Sequence, residues 1–373
     1  MNILFVLENY FPHIGGVEVL FKSLAEGLVN QGHNVNIVTH KLKETKKYEV
    51  INGVKIHRVR CFHTRYLFTF FSIPKVLKLA KDADVIHATI FNSAFPAWVA
   101  SKIRKKPCIL TVNEVWRGLW GKLSSMNWFN AKMHDLLERM IYSLHYDRYI
   151  CISKSTQKQL LSIGIEKNKT YVIYPGVDYE LFNPKKYSRE KIRKKLGLEK
   201  NFIYMFYGRP GISKGFEYLL KAVQAISEKI LNSKLLAIVS HDKAYQKRYD
   251  SMKKLIKELR IEDKILLLDP VPYDELPNYI KSADCVVVPS LAEGFGYTTA
   301  EACAMERPVV ASNVASLPEV VSGRYVLVEP RNPKAIAEGV ELTYNKKIKK
   351  HKEKKFLWRN NIDAHIRLYN SLL

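Results

Sequence analysis

Short apolar runs rich in β-branched residues, each broken by glycine, proline or a polar pair before it reaches helical length, recur along this chain of 373 residues. The clearest lie at residues 3–7, 34–39, 84–89, 108–112, 202–207, 235–240, 265–268, 285–289, 309–311 and 325–328. Runs of this kind suit strands buried on both faces, and stretches of good helix formers separate them. The pattern predicts an α/β fold built from doubly wound parallel sheets. Residues 50–60 read instead as a hairpin turning at Asn52-Gly53. The length leaves room for about two domains. The turn signal Pro175-Gly176 places the division there, giving domains of 1–175 and 176–355. A lysine-rich connector follows, and then a last helix over 356–373.

Three loops carry chemistry. The first, in C-V-V-V-P-S-L-A-E-G-F-G-Y-T-T-A-E, joins a strand to a helix. Gly294 and Gly296, on either side of Phe295, allow close backbone approach to a ligand, and the amides at the helix start favour phosphate. Glu301 is expected in the first helical turn, able to accept from the two hydroxyls of a ribose, with Glu293 facing a second set of hydroxyls. The alternative is that Glu301 only complements the helix dipole and Glu293 only meets water. The second loop is Y-G-R-P-G-I-S-K-G-F-E, where Arg209 and Lys214 stand among Gly208, Gly211 and Gly215. An arginine that binds oxygens bidentately and a mobile lysine suit a diphosphate. The third, F-P-H-I-G-G-V-E, places Gly15-Gly16 between a strand and a helix, and reads either as a ligand loop or as a plain tight turn.

The run from Asp284 to Val320, with E-x7-E at Glu293 and Glu301, resembles the retaining glycosyltransferases of family 4, the glycosyl transferases group 1. The arginine-lysine loop and the glycine pair resemble the same family, and the resemblance covers nearly the whole chain. It implies the GT-B fold, two Rossmann-like domains facing each other across a cleft, with the last helix crossing back onto the first. It implies Arg209, Lys214 and Glu293 as catalytic residues, the cations on the donor phosphates and Glu293 near the donor sugar. Gly15, Gly16, Asn113, Gly294, Phe295, Gly296 and Glu301 then bind the donor, Glu301 through its ribose. The implied reaction moves a sugar from a nucleotide-diphosphate sugar to a hydroxyl of a growing glycan or lipid-linked acceptor. It retains anomeric configuration and needs neither metal nor cofactor. A nucleotide-sugar epimerase of the same fold is the alternative. Asn113 departs from the pattern, because relatives usually have histidine there; asparagine hydrogen-bonds but cannot shuttle a proton.

The remaining signals bound the setting. Lys+Arg 60 against Asp+Glu 36 gives a formal charge of +24, which attracts anionic nucleotides, membranes or nucleic acid, or is only a solvated surface. No zinc spacing, RNP motif or basic heptad is present, so nucleic acid is not expected as a partner. Basic and aromatic residues cluster at 65–75, 102–106 and 116–129, either as core and solvated lysines or as a peripheral contact with anionic membrane. No apolar stretch reaches the roughly 18 residues of a spanning helix. The opening M-N-I-L-F-V-L reads as a strand and not as a leader. The scattered Cys61, Cys108, Cys151, Cys285 and Cys303 read as reduced thiols, which points to the cytoplasm or the cytoplasmic membrane face. The D-A-D at 82–84 precedes a strand, at the end of the sheet where a ligand does not bind, so it is not a metal site. His87 sits near a strand end and is either a ligand contact or packed; His33 reads as a loop histidine.

Overall fold

The computed structural model describes the whole chain except Ile14, residues 62–64 and residues 242–244. By their contacts the residues form two compact units. One comprises Met1–Trp120, Trp128–Gly176 and Phe356–Leu373, the other Gly121–Asn127 and Val177–Lys355.

The first unit holds β1 (Asn2–Val6), β2 (Asn34–His40), β3 (Tyr48–Ile51), β4 (Val54–Val59), β5 (Val85–Thr89), β6 (Cys108–Val112), β7 (Arg148–Cys151) and β8 (Thr170–Val172). They form one sheet in the order β3-β4-β2-β1-β5-β6-β7-β8. All pairings are parallel except that of β3 with β4, the predicted hairpin, whose turn residues Asn52 and Gly53 both have positive φ. β5 and β6 are buried along their whole length, as strands covered on both faces must be. The strand order reverses between β1 and β5, the point beyond whose carboxyl ends open sheets of this kind bind ligands. Asn92 Nδ2 donates to Glu8 Oε2 there at 2.9 Å.

The opposite, amino edge of the sheet has a structural use for Asp84, whose carboxylate accepts from the Asn2 amide at 2.7 Å. His87 lies in the core. Its Nδ1 is 2.7 Å from the Tyr369 hydroxyl and its Nε2 is 2.6 Å from Thr111 Oγ1, so neither nitrogen is available to a ligand. Burial, and then the neighbouring His365, hold its pKa well below the ordinary range. Tyr369 and His365 belong to the helix Trp358–Asn370, which packs against the helix Gly16–Asn30. The end of the chain thereby completes the core of the unit that contains its beginning. His33 meets the amino terminus at 3.2 Å.

The second unit holds β9 (Phe202–Gly208), β10 (Ser233–Val239), β11 (Ile265–Leu268), β12 (Cys285–Val288), β13 (Val309–Ser312) and β14 (Tyr325–Val328). Their order is β11-β10-β9-β12-β13-β14, and every pairing is parallel. The reversal falls between β9 and β12. These are the strands that lead into the arginine-lysine loop and the Glu293 loop. All five cysteines are free thiols. Among the described residues no helix is long and apolar enough to cross a membrane.

Candidate active site

At the carboxyl ends of β9 and β12 the two loops are tied together by their backbones. The Leu291 and Ala292 amides both donate to the Ser213 carbonyl, at 2.6 and 3.3 Å. Gly215 makes this approach possible. Its φ is +64°, and a Cβ there would lie 1.9 Å from the Pro289 carbonyl oxygen. The Ser316 hydroxyl holds the Glu293 carbonyl at 3.0 Å from the far side. Within this frame Lys214 Nζ donates to Glu293 Oε1 at 2.6 Å, and the Ser290 hydroxyl donates to the same oxygen at 2.9 Å. Glu293 is buried. The reading in which it merely points to water is therefore excluded.

Arg209 is held differently. It is exposed, its Nη1 donates to the Tyr245 hydroxyl at 3.0 Å, and its guanidinium lies 5.6 Å from the centre of that ring. One cation of the expected pair is thus placed by an acid and the other by an aromatic ring. Tyr245 has no motif around it and was not visible in the sequence.

Glu301 is the fifth residue of the helix Tyr297–Ala304, so it stands in the second turn and not in the first as expected. Loop residue Gly296 is the cap and the helix begins at Tyr297, which leaves a full turn, residues 297–300, ahead of Glu301. The position removes the dipole-only role, which fades beyond the first turn. Both carboxylate oxygens are instead hydrogen-bonded inside the protein: Tyr273 donates to Oε1 at 2.8 Å and Tyr207 to Oε2 at 3.1 Å. Burial raises its pKa to about 7, against the two tyrosine bonds and the charge of Lys214. Tyr207 and Tyr273 were not identified as partners from sequence, since nothing in their spacing links them to this helix. The Phe295 side chain is buried and packs edge-on against Tyr297 at 5.3 Å, so only its backbone can meet a ligand.

The raised pKa has a measurable consequence. Near pH 6.5 a sizeable fraction of empty protein carries a proton on Glu301. Two hydroxyls donating to this carboxylate stabilise its charged form and lower the pKa. Ligand binding near pH 6.5 is therefore expected to release a fraction of a proton, and none near pH 9, where the group is already ionised. Calorimetry in buffers of different ionisation enthalpy measures this directly; equal proton release by wild type and Glu301→Gln would refute it.

In the first unit, Gly15 precedes the helix Gly16–Asn30 in extended backbone, and Gly16 is its first residue. A Cβ on Gly15 would come within 2.5 Å of Glu18 Oε2. Glu18 is buried, and its Oε1 lies 3.1 Å from His13 Nδ1. Gly15 thus makes room for an acid, Glu18, that the motif did not single out. Ile14, within that motif, lies outside the described residues.

Asn113 follows β6, half-buried, with its carbonyl accepting from Thr156 Oγ1 at 3.2 Å. Beyond it Glu138 is fully buried and accepts from the Trp116 amide at 2.9 Å and from Trp120 Nε1 at 2.8 Å. Burial raises its pKa. Trp116 and Trp120, both half-buried with ring centres 5.2 Å apart, are thus held from within by the Glu138 carboxylate.

The descriptions "Glycosyltransferase Family 4" and "Glycosyl transferases group 1" belong to two family models that match residues 14–181 and 188–356. An uncharacterised glycosyltransferase of Methanocaldococcus jannaschii is 33% identical over 357 residues, covering 91% of this chain and 88% of the relative. The chain belongs to the family 4, group 1 glycosyltransferases. Among solved structures, sucrose-phosphate synthase from Thermosynechococcus elongatus superposes with a TM-score of 0.79 at 20% identity, covering 100% of this chain and 99% of the other. Anabaena HepE in complex with UDP-glucose gives 0.76 at 18% identity, with 100% of both chains covered. The fold of this glycosyltransferase is GT-B. The switch point between β9 and β12, with its lysine-acid pair, lies in the glycosyl transferases group 1 half.

Proposed function

We propose that this glycosyltransferase takes a sugar from a nucleotide-diphosphate sugar and passes it, with retention and without metal or cofactor, to a hydroxyl acceptor. The observation that carries the reading is the Lys214–Glu293–Ser290 cluster at the carboxyl ends of the two strands flanking the switch point. Cleavage of the sugar–phosphate bond puts negative charge on the departing diphosphate. Lys214 stabilises that charge, with Arg209 as the second cation. Glu293 fixes the ammonium in place and meets the donor sugar, and Glu301 takes the ribose. The backbone of Gly294, Phe295 and Gly296 borders the donor. The leaving phosphate takes the acceptor's proton in a front-face attack, which suits a residue 113 that carries no titratable group.

A thermal-shift panel of nucleotide sugars tests this. One donor and its free nucleoside diphosphate are expected to stabilise the protein, and stabilisation by none of them defeats the reading. Conversion of the donor to its epimer without acceptor would instead establish the epimerase alternative.

The acceptor is lipid-linked, and the enzyme works peripherally at the cytoplasmic membrane face. The support is the helix Trp128–Ser143, which turns Ala131, Glu138, Ile141 and Tyr142 inward. Its outer side shows Phe129, Met133, Leu136 and Met140 in one row at helical spacing, 64%, 42%, 53% and 57% exposed. Lys132 flanks the row. A water-facing surface does not need such a row, whereas the headgroup layer of an anionic bilayer suits it. Flotation with anionic vesicles should recover wild type, and a Leu136→Asp/Met140→Asp protein should be recovered about tenfold less, as should Lys105→Glu/Lys106→Glu in part. Undiminished capture of both variants counts against the membrane role.

A further inference from the structure

A cavity of about 420 Å³ lies in the second unit at the amino edge of its sheet, the edge opposite the donor loops. It opens beside Phe202, Asp284, Pro308 and Arg324, the residues at or just before the starts of β9, β12, β13 and β14. Four cations line it: Arg189, Arg307, Arg324 and Lys346.

The two lining carboxylates do not balance them. Asp284 is already engaged from behind, by Arg193 Nη2 at 2.5 Å and by the Ile203 amide at 2.7 Å, and Arg189 takes its other oxygen. Glu306 is exposed at the rim. Among the described residues Arg307 donates to carbonyls, those of Met305 at 3.3 Å and Ala283 at 3.4 Å, and to no carboxylate. Burial, followed by the charge of Arg189, lowers its pKa, with Arg324 adding to the effect. Lys281 is lowered in the same way, by burial and then by Arg307. Arginines gathered in a part-buried hollow repel one another, and an anion with several acceptor oxygens converts that repulsion into charge-assisted hydrogen bonds. One wall is aromatic: Phe202 and Tyr344 meet edge-on at 5.2 Å.

We propose that this cavity is a second ligand site, distinct from the donor loops, that binds a small phosphomonoester with its phosphate on Arg307 and Arg324 and its neutral end against Phe202 and Tyr344. The volume admits a molecule the size of a sugar phosphate. Arginine forks favour the phosphate dianion over a carboxylate, and the wall favours an ester over the bare ion.

Titration calorimetry on the full chain, with glucose 6-phosphate and inorganic phosphate as probes, tests the assignment. Expected are one saturable site, tighter for the ester, retention of that binding in Lys214→Ala, and weakening of about tenfold or more in Arg324→Glu/Lys346→Glu, whose positions are exposed. Folding of both variants is checked by their thermal transitions. Loss of binding in Lys214→Ala would assign the phosphate to the donor loop and overturn the proposal. So would equal binding by the double variant, no saturable binding of either probe, or capture only by vesicles bearing phosphatidic acid.

Discussion

Lys214→Ala is expected to lower kcat about a hundredfold, an effect of roughly 3 kcal/mol, because charge on the leaving diphosphate peaks in the transition state. The ion pair with Glu293 sharpens the prediction. Removing the ammonium leaves a buried carboxylate facing the incoming phosphates, so donor KM should rise as well. A Lys214→Ala/Glu293→Gln protein should recover part of the lost donor affinity while kcat stays low. Activity of the wild type should survive EDTA. Steady-state kinetics on the three proteins decide the matter: complete inhibition by the chelator, or an alanine variant with unaltered kcat, would show that Lys214 does not do the work assigned to it. Glu301→Ala, by contrast, should act mainly on donor KM, since ribose contacts change little as the sugar departs.

Gly215→Ala is expected to cost both stability and activity, although no side chain with chemistry is removed. Alanine at φ +64° carries about 1–2 kcal/mol of backbone strain. Its Cβ would also meet the Pro289 carbonyl at 1.9 Å, and a backbone atom can yield only by moving the strand end behind it. Overpacking of this kind costs about 1–3 kcal/mol. A shift of about 1 Å in the Glu293 loop would lower kcat by roughly a hundredfold. Gly197 supplies the control, since its φ is +67° and a Cβ there meets nothing within 4 Å. Gly197→Ala should lose about 1 kcal/mol of stability and no activity. Equal kinetic behaviour of the two variants would mean that the contact with Pro289 does not matter.

How far the site was legible in sequence depended on how local each partner is. Lys214 and Gly215 stand side by side in one loop, and Glu293 directly precedes the Gly294-Phe295-Gly296 stretch that announces a ligand loop, so residue type and spacing suffice to single them out. That Lys214 and Glu293 touch was not readable, because their loops are joined only by the adjacency of β9 and β12. Glu301 stands out by its spacing from Glu293, but the expectation puts it one turn too early: the helix does begin at Tyr297, and a full turn separates its start from Glu301. Its tyrosine partners come from other strands and loops: Tyr207 opens the arginine-lysine motif and Tyr273 closes D-P-V-P-Y after β11, but nothing in either stretch points to residue 301. Tyr245 was missed for the same reason. His87 looked equally suited to a ligand or to packing, and the hydroxyl that decides it belongs to Tyr369, near the other end of the chain. By residue type the tryptophans at 116 and 120 suit a core or a membrane contact alike, and the buried Glu138 that takes the Trp116 amide and the Trp120 indole lies on a later helix.

The sequence by itself determined where strands and helices form and which loops carry glycine, cation and acid, because burial on two faces, turn chemistry and helix formation act over a few neighbouring residues. Tertiary structure alone decided the strand order, and with it which of those loops share a crevice. It also decided which carboxylates are neutralised and which retain a raised pKa, and where Phe129, Met133, Leu136 and Met140 line up facing outward. Those outcomes depend on desolvation and on contacts between residues far apart in the chain, terms that have no value until the chain is packed.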